Sequence, residues 1–248
     1  MIKFLKVFWA VTALLFSAIS ATAQDAAPIV SFYSVDEESD IEMNPGDSQT
    51  AQAPLEIKLS ANVDCPDGYH YVSEWRILRA KDGEDTPLLT RFQDETSYTL
   101  TQSGGYTVKL YVTFMQEGDT IDYESEDFTI GISESKLTCP DGFSPNNDGI
   151  NDYYRITAQS IVKFEALFFN RWGQKIHSVN LDQVKHAEGE TEKWVLWDGK
   201  VNGKYVKDGV YFVNINAYGS DGIHYKIKKA VNVLKGFRES AESGGASE

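Results

Sequence analysis

The chain has 248 residues, with 23 Lys and Arg against 37 Asp and Glu, a formal net charge of −14 and two cysteines. So acidic a surface repels phosphate backbones, and no basic stripe with interleaved aromatics overrides it, which argues against nucleic-acid binding and against simple electrostatic attachment to anionic lipid. With so few cysteines the stability must come from hydrophobic cores, and the length suits two domains of about 100 residues each.

The first segment reads as an export leader. Lys3 and Lys6 precede an apolar run from Val7 to Ile19 and small residues ending Ala21-Thr22-Ala23, which predicts a signal peptide over residues 1–23 with cleavage before Gln24. The alternative, a membrane anchor, needs roughly 20 apolar residues, longer than this run. No Cys follows the cut to carry a lipid, and no later apolar run is long enough to span a bilayer. The expected destination lies beyond the inner membrane, at the cell surface or outside the cell, with the periplasm as the alternative.

Residues 24–133 are expected to form one β-sandwich. The polar, proline-interrupted stretch from Ala26 to Pro54 offers a single edge strand, Ile29 to Tyr33, and then a loop. From Leu55 onward apolar and polar residues alternate: Leu55, Ile57 and Leu59; Val72, Trp75, Ile77 and Leu78; Tyr106, Val108, Leu110 and Val112; Phe128 and Ile130. Alternation of period two, broken at Asp82-Gly83, Gly104-Gly105 and Glu117-Gly118-Asp119, predicts antiparallel strands with one dry and one wet face. Glu74-Trp75-Arg76-Ile77 and Gly105-Tyr106-Thr107-Val108 make this half resemble the PKD-like and related immunoglobulin-like modules of bacterial surface proteins. The resemblance implies Trp75 on one sheet facing the Tyr106 strand on the other, and a spacer or binding role. Residues 134–137 are read as a short polar linker.

Residues 138–235 predict a second sandwich of about seven strands, so the fold class is all-β, with two tandem antiparallel β-sandwich domains after a cleaved signal peptide. Phe143-Ser144-Pro145-Asn146-Asn147-Asp148-Gly149-Ile150-Asn151-Asp152 packs turn formers together. Phe168-Phe169-Asn170-Arg171-Trp172-Gly173-Gln174 follows, then Trp197-Asp198-Gly199-Lys200, then Asp208-Gly209-Val210-Tyr211-Phe212 and a closing hairpin. In this order the motifs resemble the gliding-motility-associated C-terminal domain, the type B sorting domain of the type IX secretion system. The resemblance implies recognition by the type IX machinery at the outer membrane, with the motif residues Ser144, Pro145, Asn146, Asp148, Gly149, Asn151, Asp152, Asn170, Arg171, Trp172, Gly173, Trp197, Asp198, Gly199, Asp208, Gly209 and Tyr211 forming or supporting the docking surface.

Several residues carry two readings. Asn146, Asp148, Asn151 and Asp152 surround a glycine as calcium-loop donors do, without the spacing of an EF-hand; the alternative is a turn capped by its own side chains. Trp172 is expected to fill the sandwich edge with Arg171 paired to an acid, or else both are presented to a docking partner. Cys65-Pro66-Asp67-Gly68 and Cys139-Pro140-Asp141-Gly142 are two similar turns, or the two ends of one disulfide joining the domains. His70, His177, His186 and His224 are too dispersed for a metal pair, and no nucleophile elbow or phosphate loop is present. The expectation is therefore a non-enzymatic exported protein without a cofactor, its first sandwich an adhesin-like or structural cargo. The alternatives are a carbohydrate-binding accessory, with Tyr69, Tyr71 and Trp194 stacking on a surface glycan, and a docking component of the export or gliding apparatus. Two features depart from the family pattern: a Ser/Gly/Ala/Glu-rich tail over 236–248, expected to be disordered, and a long charged connection from Val179 to Lys193, either a lengthened hairpin or a short helix.

Overall fold

The computed structural model describes residues 25–35, 37–80, 87–187 and 190–235. The leader over 1–23, the tail over 236–248 and the Asp82-Gly83 turn lie outside the described residues. No helix among those described is long and apolar enough to cross a membrane.

The first half contains Asp25–Ala26 (β1), Ile29–Ser34 (β2), Ser39–Met43 (β3), Ser48–Ala51 (β4), Leu55–Ser60 (β5) and Val63–Asp64 (β6). It continues with His70–Arg79 (β7), Leu89–Arg91 (β8), Glu95–Leu100 (β9), Gly104–Gln116 (β10), Asp119–Glu124 (β11) and Phe128–Ile132 (β12). One sheet runs β3-β2-β5-β9; the other runs β4-β12-β10-β7-β8, with β11 also on β10. Leu55, Ile57 and Leu59 point inward and Glu56 and Lys58 outward, as the alternation requires. Between the sheets, Trp75, Phe114, Phe128, Met43 and Leu110 are fully buried.

Three expectations for this half need correction. Strand β2 is not an edge, because β3 and β5 flank it. The stretch expected to be loop supplies β3 and β4, whose sequences SDIEM and SQTA show little alternation and take their register from neighbours. Trp75 and the Tyr106 strand share one sheet, with Leu110 opposite Trp75 and Tyr106 opposite Arg79. The Trp75 indole instead meets Phe128 of β12, 6.4 Å away between ring centroids.

The second half contains Lys136–Thr138 (β13), Gly142–Phe143 (β14), Tyr154–Gln159 (β15), Ile161–Phe169 (β16), Lys175–Asn180 (β17) and Lys185–Ala187 (β18). Glu190–Trp197 (β19), Lys200–Val201 (β20), Lys204–Tyr205 (β21), Gly209–Gly219 (β22) and His224–Val233 (β23) complete it. A sheet of order β14-β23-β22-β16-β17 faces one of order β13-β15-β19-β18, with β20-β21 as a separate ribbon. Strand pairing is antiparallel except at β4-β12 and β14-β23. The count exceeds the seven strands expected because short edge pieces carry no alternation of their own. The expected linker is also shorter: Lys136 and Leu137 belong to β13, and Leu137 is buried in the second core. The long connection after Val179 holds a 3-10 turn at Leu181–Gln183 and then β18.

The two sandwiches touch through a polar seam. The Ala53 amide donates to Ser160 Oγ at 3.2 Å, and the Ser103 amide donates to the Ser220 carbonyl at 3.0 Å. Ser220 Oγ donates to the Ser133 carbonyl at 3.1 Å, while the Ser135 amide and hydroxyl donate to the Asp221 carboxylate at 3.0 and 2.8 Å. Gly219 is required here, since a methyl at its Cα would land on the Ser135 side chain. Burial works against the Asp221 charge, but the Ile223 amide and the Ser135 hydroxyl and amide outweigh it and hold the carboxyl below the usual range.

Candidate functional site

Strand direction assembles the four motifs. Strands β16, β19 and β23 run away from the seam, while β15, β17 and β22 run toward it, as their antiparallel registers require. The loop over 144–152, the turn over 170–174, the segment 198–208 and the end of β23 therefore lie together at the end remote from the first sandwich. All the motif residues named from sequence meet there.

The 144–152 loop is held by its own carboxylates. Asp152 accepts from the amides of Asn147 and Gly149, at 2.5 and 2.8 Å. Asp148 accepts from the Ile150 amide and from Asn146 Nδ2, both at 2.7 Å. These bonds use all four carboxylate oxygens, and the Asn146 contact and the Ile150 amide hold the Asp148 carboxyl below its usual range. Asn147, Gly149 and Asn151 adopt positive φ of 63°, 85° and 53° to close the loop. The loop is thus a turn capped by its own side chains, one of the two readings of the Asn/Asp cluster.

Beneath the loop stands an aromatic pillar. Trp197 is buried against Phe143, Phe168 and Tyr211, with centroids 5.5, 5.2 and 5.5 Å away, and its Nε1 donates to the Lys200 carbonyl at 2.9 Å. Tyr211 donates its hydroxyl to the Lys207 carbonyl at 2.9 Å. Gly199, at φ 74°, lets Pro145 approach to 2.7 Å of where a Cβ would stand. Asp198 accepts from the Lys200 amide at 2.9 Å, and Asp208 accepts from the Lys235 amide at 3.3 Å beside Gly209, where β22 begins. Trp197, Gly199 and Tyr211 build the end of the sandwich, while the side chains of Asp198 and Asp208 stay half exposed on its surface.

Trp172 does project. Asn170 Oδ1 accepts from the amides of Trp172 and Gln174 at 3.0 Å each, and Gly173, at φ 79°, closes the β16–β17 turn by donating its amide to the Asn170 carbonyl at 2.9 Å. The turn leaves the indole 71% exposed, with the Arg171 guanidinium 4.4 Å from its ring centroid. This corrects the expectation that Trp172 fills the sandwich edge and Arg171 pairs with an acid: a tight turn at a strand end aims its middle residues at water. Beside it lie Tyr205 and Val210, and on the Arg171 side Phe212, each more than two-fifths exposed, which sequence reasoning missed. The available signal was Lys200, Lys204 and Lys207 with no acid between them.

The disulfide reading fails. Cys65 and Cys139 are both free: Cys65 hydrogen-bonds within its own turn, to the Tyr69 carbonyl at 3.4 Å, while Cys139 packs on the second core, where burial pushes its thiol up to about 11. Of the three aromatics named for a sugar platform, Trp194 is buried beneath Phe164, while Tyr69 and Tyr71 are half-buried and Tyr71 gives its hydroxyl to Asp94 at 2.7 Å.

Fold and site together define a tandem pair of β-sandwiches whose turn motifs converge on one free end. Residues 137–231 match the family model described as the CHU_C type IX secretion signal domain; the match spans the four motifs and does not reach the first sandwich. No curated protein matches the chain. Among solved structures, dimeric latent PorU from Porphyromonas gingivalis aligns at 13% identity and TM-score 0.26, over 84% of this chain and 20% of that one. SGBP-B of a Bacteroides ovatus mixed-linkage glucan utilization locus, solved with a heptasaccharide, aligns at 16% identity and TM-score 0.23, over 75% and 42%. A tetra-tandem repeat from the extending region of a large adhesion protein aligns at 8% identity and TM-score 0.28, over 86% and 68%. The chain thus spans about a fifth of the PorU chain and less than half of the SGBP-B chain.

Proposed function

We propose that this is a non-enzymatic exported protein whose second sandwich directs it through the type IX secretion machinery to the cell surface or the medium. The first sandwich is the cargo, an adhesin-like or structural module. The observation that carries this reading is the match over residues 137–231, on a sandwich whose four motifs meet at the end turned away from the cargo. A linear tag would need no folded domain, whereas here strand order alone brings Ser144, Asn170, Trp197 and Asp208 together. The aspartates at this end accept loop amides, a structural use that supports a role in recognition over catalysis.

Fractionation of cells producing the full chain, or the chain stopped after Ser135, tests the proposal. The full chain is expected at the surface or in the medium and the truncated chain in the periplasm. Equal export of the two would refute the sorting role.

A further inference from the structure

On the reading that the second sandwich is an export signal, we infer that its free end docks by inserting the Trp172 indole into an apolar recess on an acidic partner protein, with the surrounding cations pairing the rim. Three observations converge on this surface. The first is preorganisation. Asn170 fixes both sides of the turn, accepting the Trp172 and Gln174 amides and donating Nδ2 to Gln174 Oε1 at 2.8 Å, so the indole is held out from a rigid hairpin. A knob ordered before binding loses little entropy on docking.

The second is exposed apolar area. Trp172 is 71% exposed, and Tyr205 and Val210 add aromatic and aliphatic surface beside it, with exposed Phe212 on the Arg171 side of the turn. A recess of about 650 Å³ lies between the Trp172 turn and the segment running from Val201 to Tyr211. Clustered exposed apolar groups mark interaction sites, and Trp, Tyr and Arg dominate the binding energy of protein interfaces.

The third is charge. Residues 25–135 hold 6 Lys and Arg against 23 Asp and Glu, while residues 136–235 hold 14 against 11. The acidity of the chain therefore belongs to the cargo, and the signal sandwich is cationic. At its free end Arg171 lies over Trp172 and Lys200 over Tyr205, 4.4 and 4.7 Å from the ring centroids, Lys200 also 3.6 Å from Asp198, with Lys204 and Lys207 exposed beside them. Such a rim complements an acidic partner and steers its approach. An anionic bilayer fits less well, because Asp141, Asp148 and Asp208 share this end. A shaped protein surface can pair the cations and avoid those carboxylates; a uniform layer of anionic headgroups cannot.

The test uses the full chain in cells that export it, with surface fraction and periplasmic accumulation as readouts and thermal unfolding as the check on folding. Trp172→Ala, and separately Lys204→Glu with Lys207→Glu, are expected to lower the surface fraction at least about tenfold while the folded protein collects in the periplasm. Trp172→Phe should retain most export, and Lys163→Glu, near the seam, should leave it unchanged. If Trp172→Ala lowers the melting temperature, the lysine pair decides. Normal export of both variants, with the chain stopped after Ser135 still retained, would overturn this inference and leave the sorting role standing. A blue shift of Trp172 emission on phosphatidylethanolamine–phosphatidylglycerol vesicles, read against Trp172→Phe, would overturn it in favour of a membrane. Self-association in sedimentation that Trp172→Ala abolishes would overturn it in favour of a second copy.

Discussion

The two sandwiches solve the same packing problem with opposite surfaces. In the first, cations pair acids and buried or half-buried rings: Lys109 sits 2.7 Å from Glu124 and 3.0 Å from Asp127, and Arg76 sits 2.6 Å from Glu74 and 4.3 Å from the Tyr111 ring centroid. In the second, Lys229 sits 2.8 Å from Asp141 and Lys200 3.6 Å from Asp198, but Arg171 and Lys200 also cover exposed aromatic rings at the free end. Each core is built round a fully buried tryptophan, Trp75 or Trp197. The difference teaches that the core specifies a sandwich while surface charge is left to the task. On the proposed reading, the strongly anionic half is a cargo kept in solution by its charge, and the half to be recognised concentrates cations and aromatics at one end.

The comparison breaks most sharply at the cores. Trp197→Ala should cost the second sandwich about 3–5 kcal/mol, and Trp75→Ala should do the same to the first. Denaturant unfolding of each variant is expected to show the altered half melting early while the other persists. A single merged transition would mean one cooperative unit. Next in size, Gly219→Ala should cost about 1–3 kcal/mol by pushing Ser135 off Asp221, and should speed proteolytic cleavage between Ile132 and Lys136.

Smaller effects sharpen the picture of the free end and the seam. Asp152→Ala frees the amides of Asn147 and Gly149 and should lower stability by about 1 kcal/mol, with added calcium leaving the melting temperature of the parent chain unchanged. The Asp221 carboxyl titrates lower folded than unfolded. Its contribution is therefore complete above the unfolded value of about 3.9 and is lost as pH falls through the folded one. Asp221→Asn should flatten that acid limb in a pH series of melts. Smallest of all, the Cys139 thiol, pushed up to about 11, should alkylate slowly at pH 8 in the native chain and readily once denaturant exposes it.

The sequence spoke clearly where side chains alternate or where turn residues cluster. Leu55, Ile57 and Leu59 declared their strand and its dry face, and Asp148 and Asp152 declared a capped loop. Ser39–Met43 and Ser48–Ala51 stayed silent because their pairing is imposed by distant strands. The tryptophans show the limit best. Trp172 and Trp197 both precede a glycine within two residues, yet one is 71% and the other 2% exposed. Burial follows from whether the residue ends a strand inside the sandwich or caps a hairpin outside it, and no local pattern records that. The free thiols of Cys65 and Cys139 likewise depend on which core each turn packs against.

The central claim is that the second sandwich is sufficient as an export address. Its most direct test replaces residues 25–132 with an unrelated folded reporter, keeping residues 1–24 and 133–248, and measures where the reporter goes in cells with a working type IX system. The account predicts reporter activity on the surface or in the medium, lost when that system is disabled. A reporter confined to the periplasm while the unaltered chain is exported would contradict it.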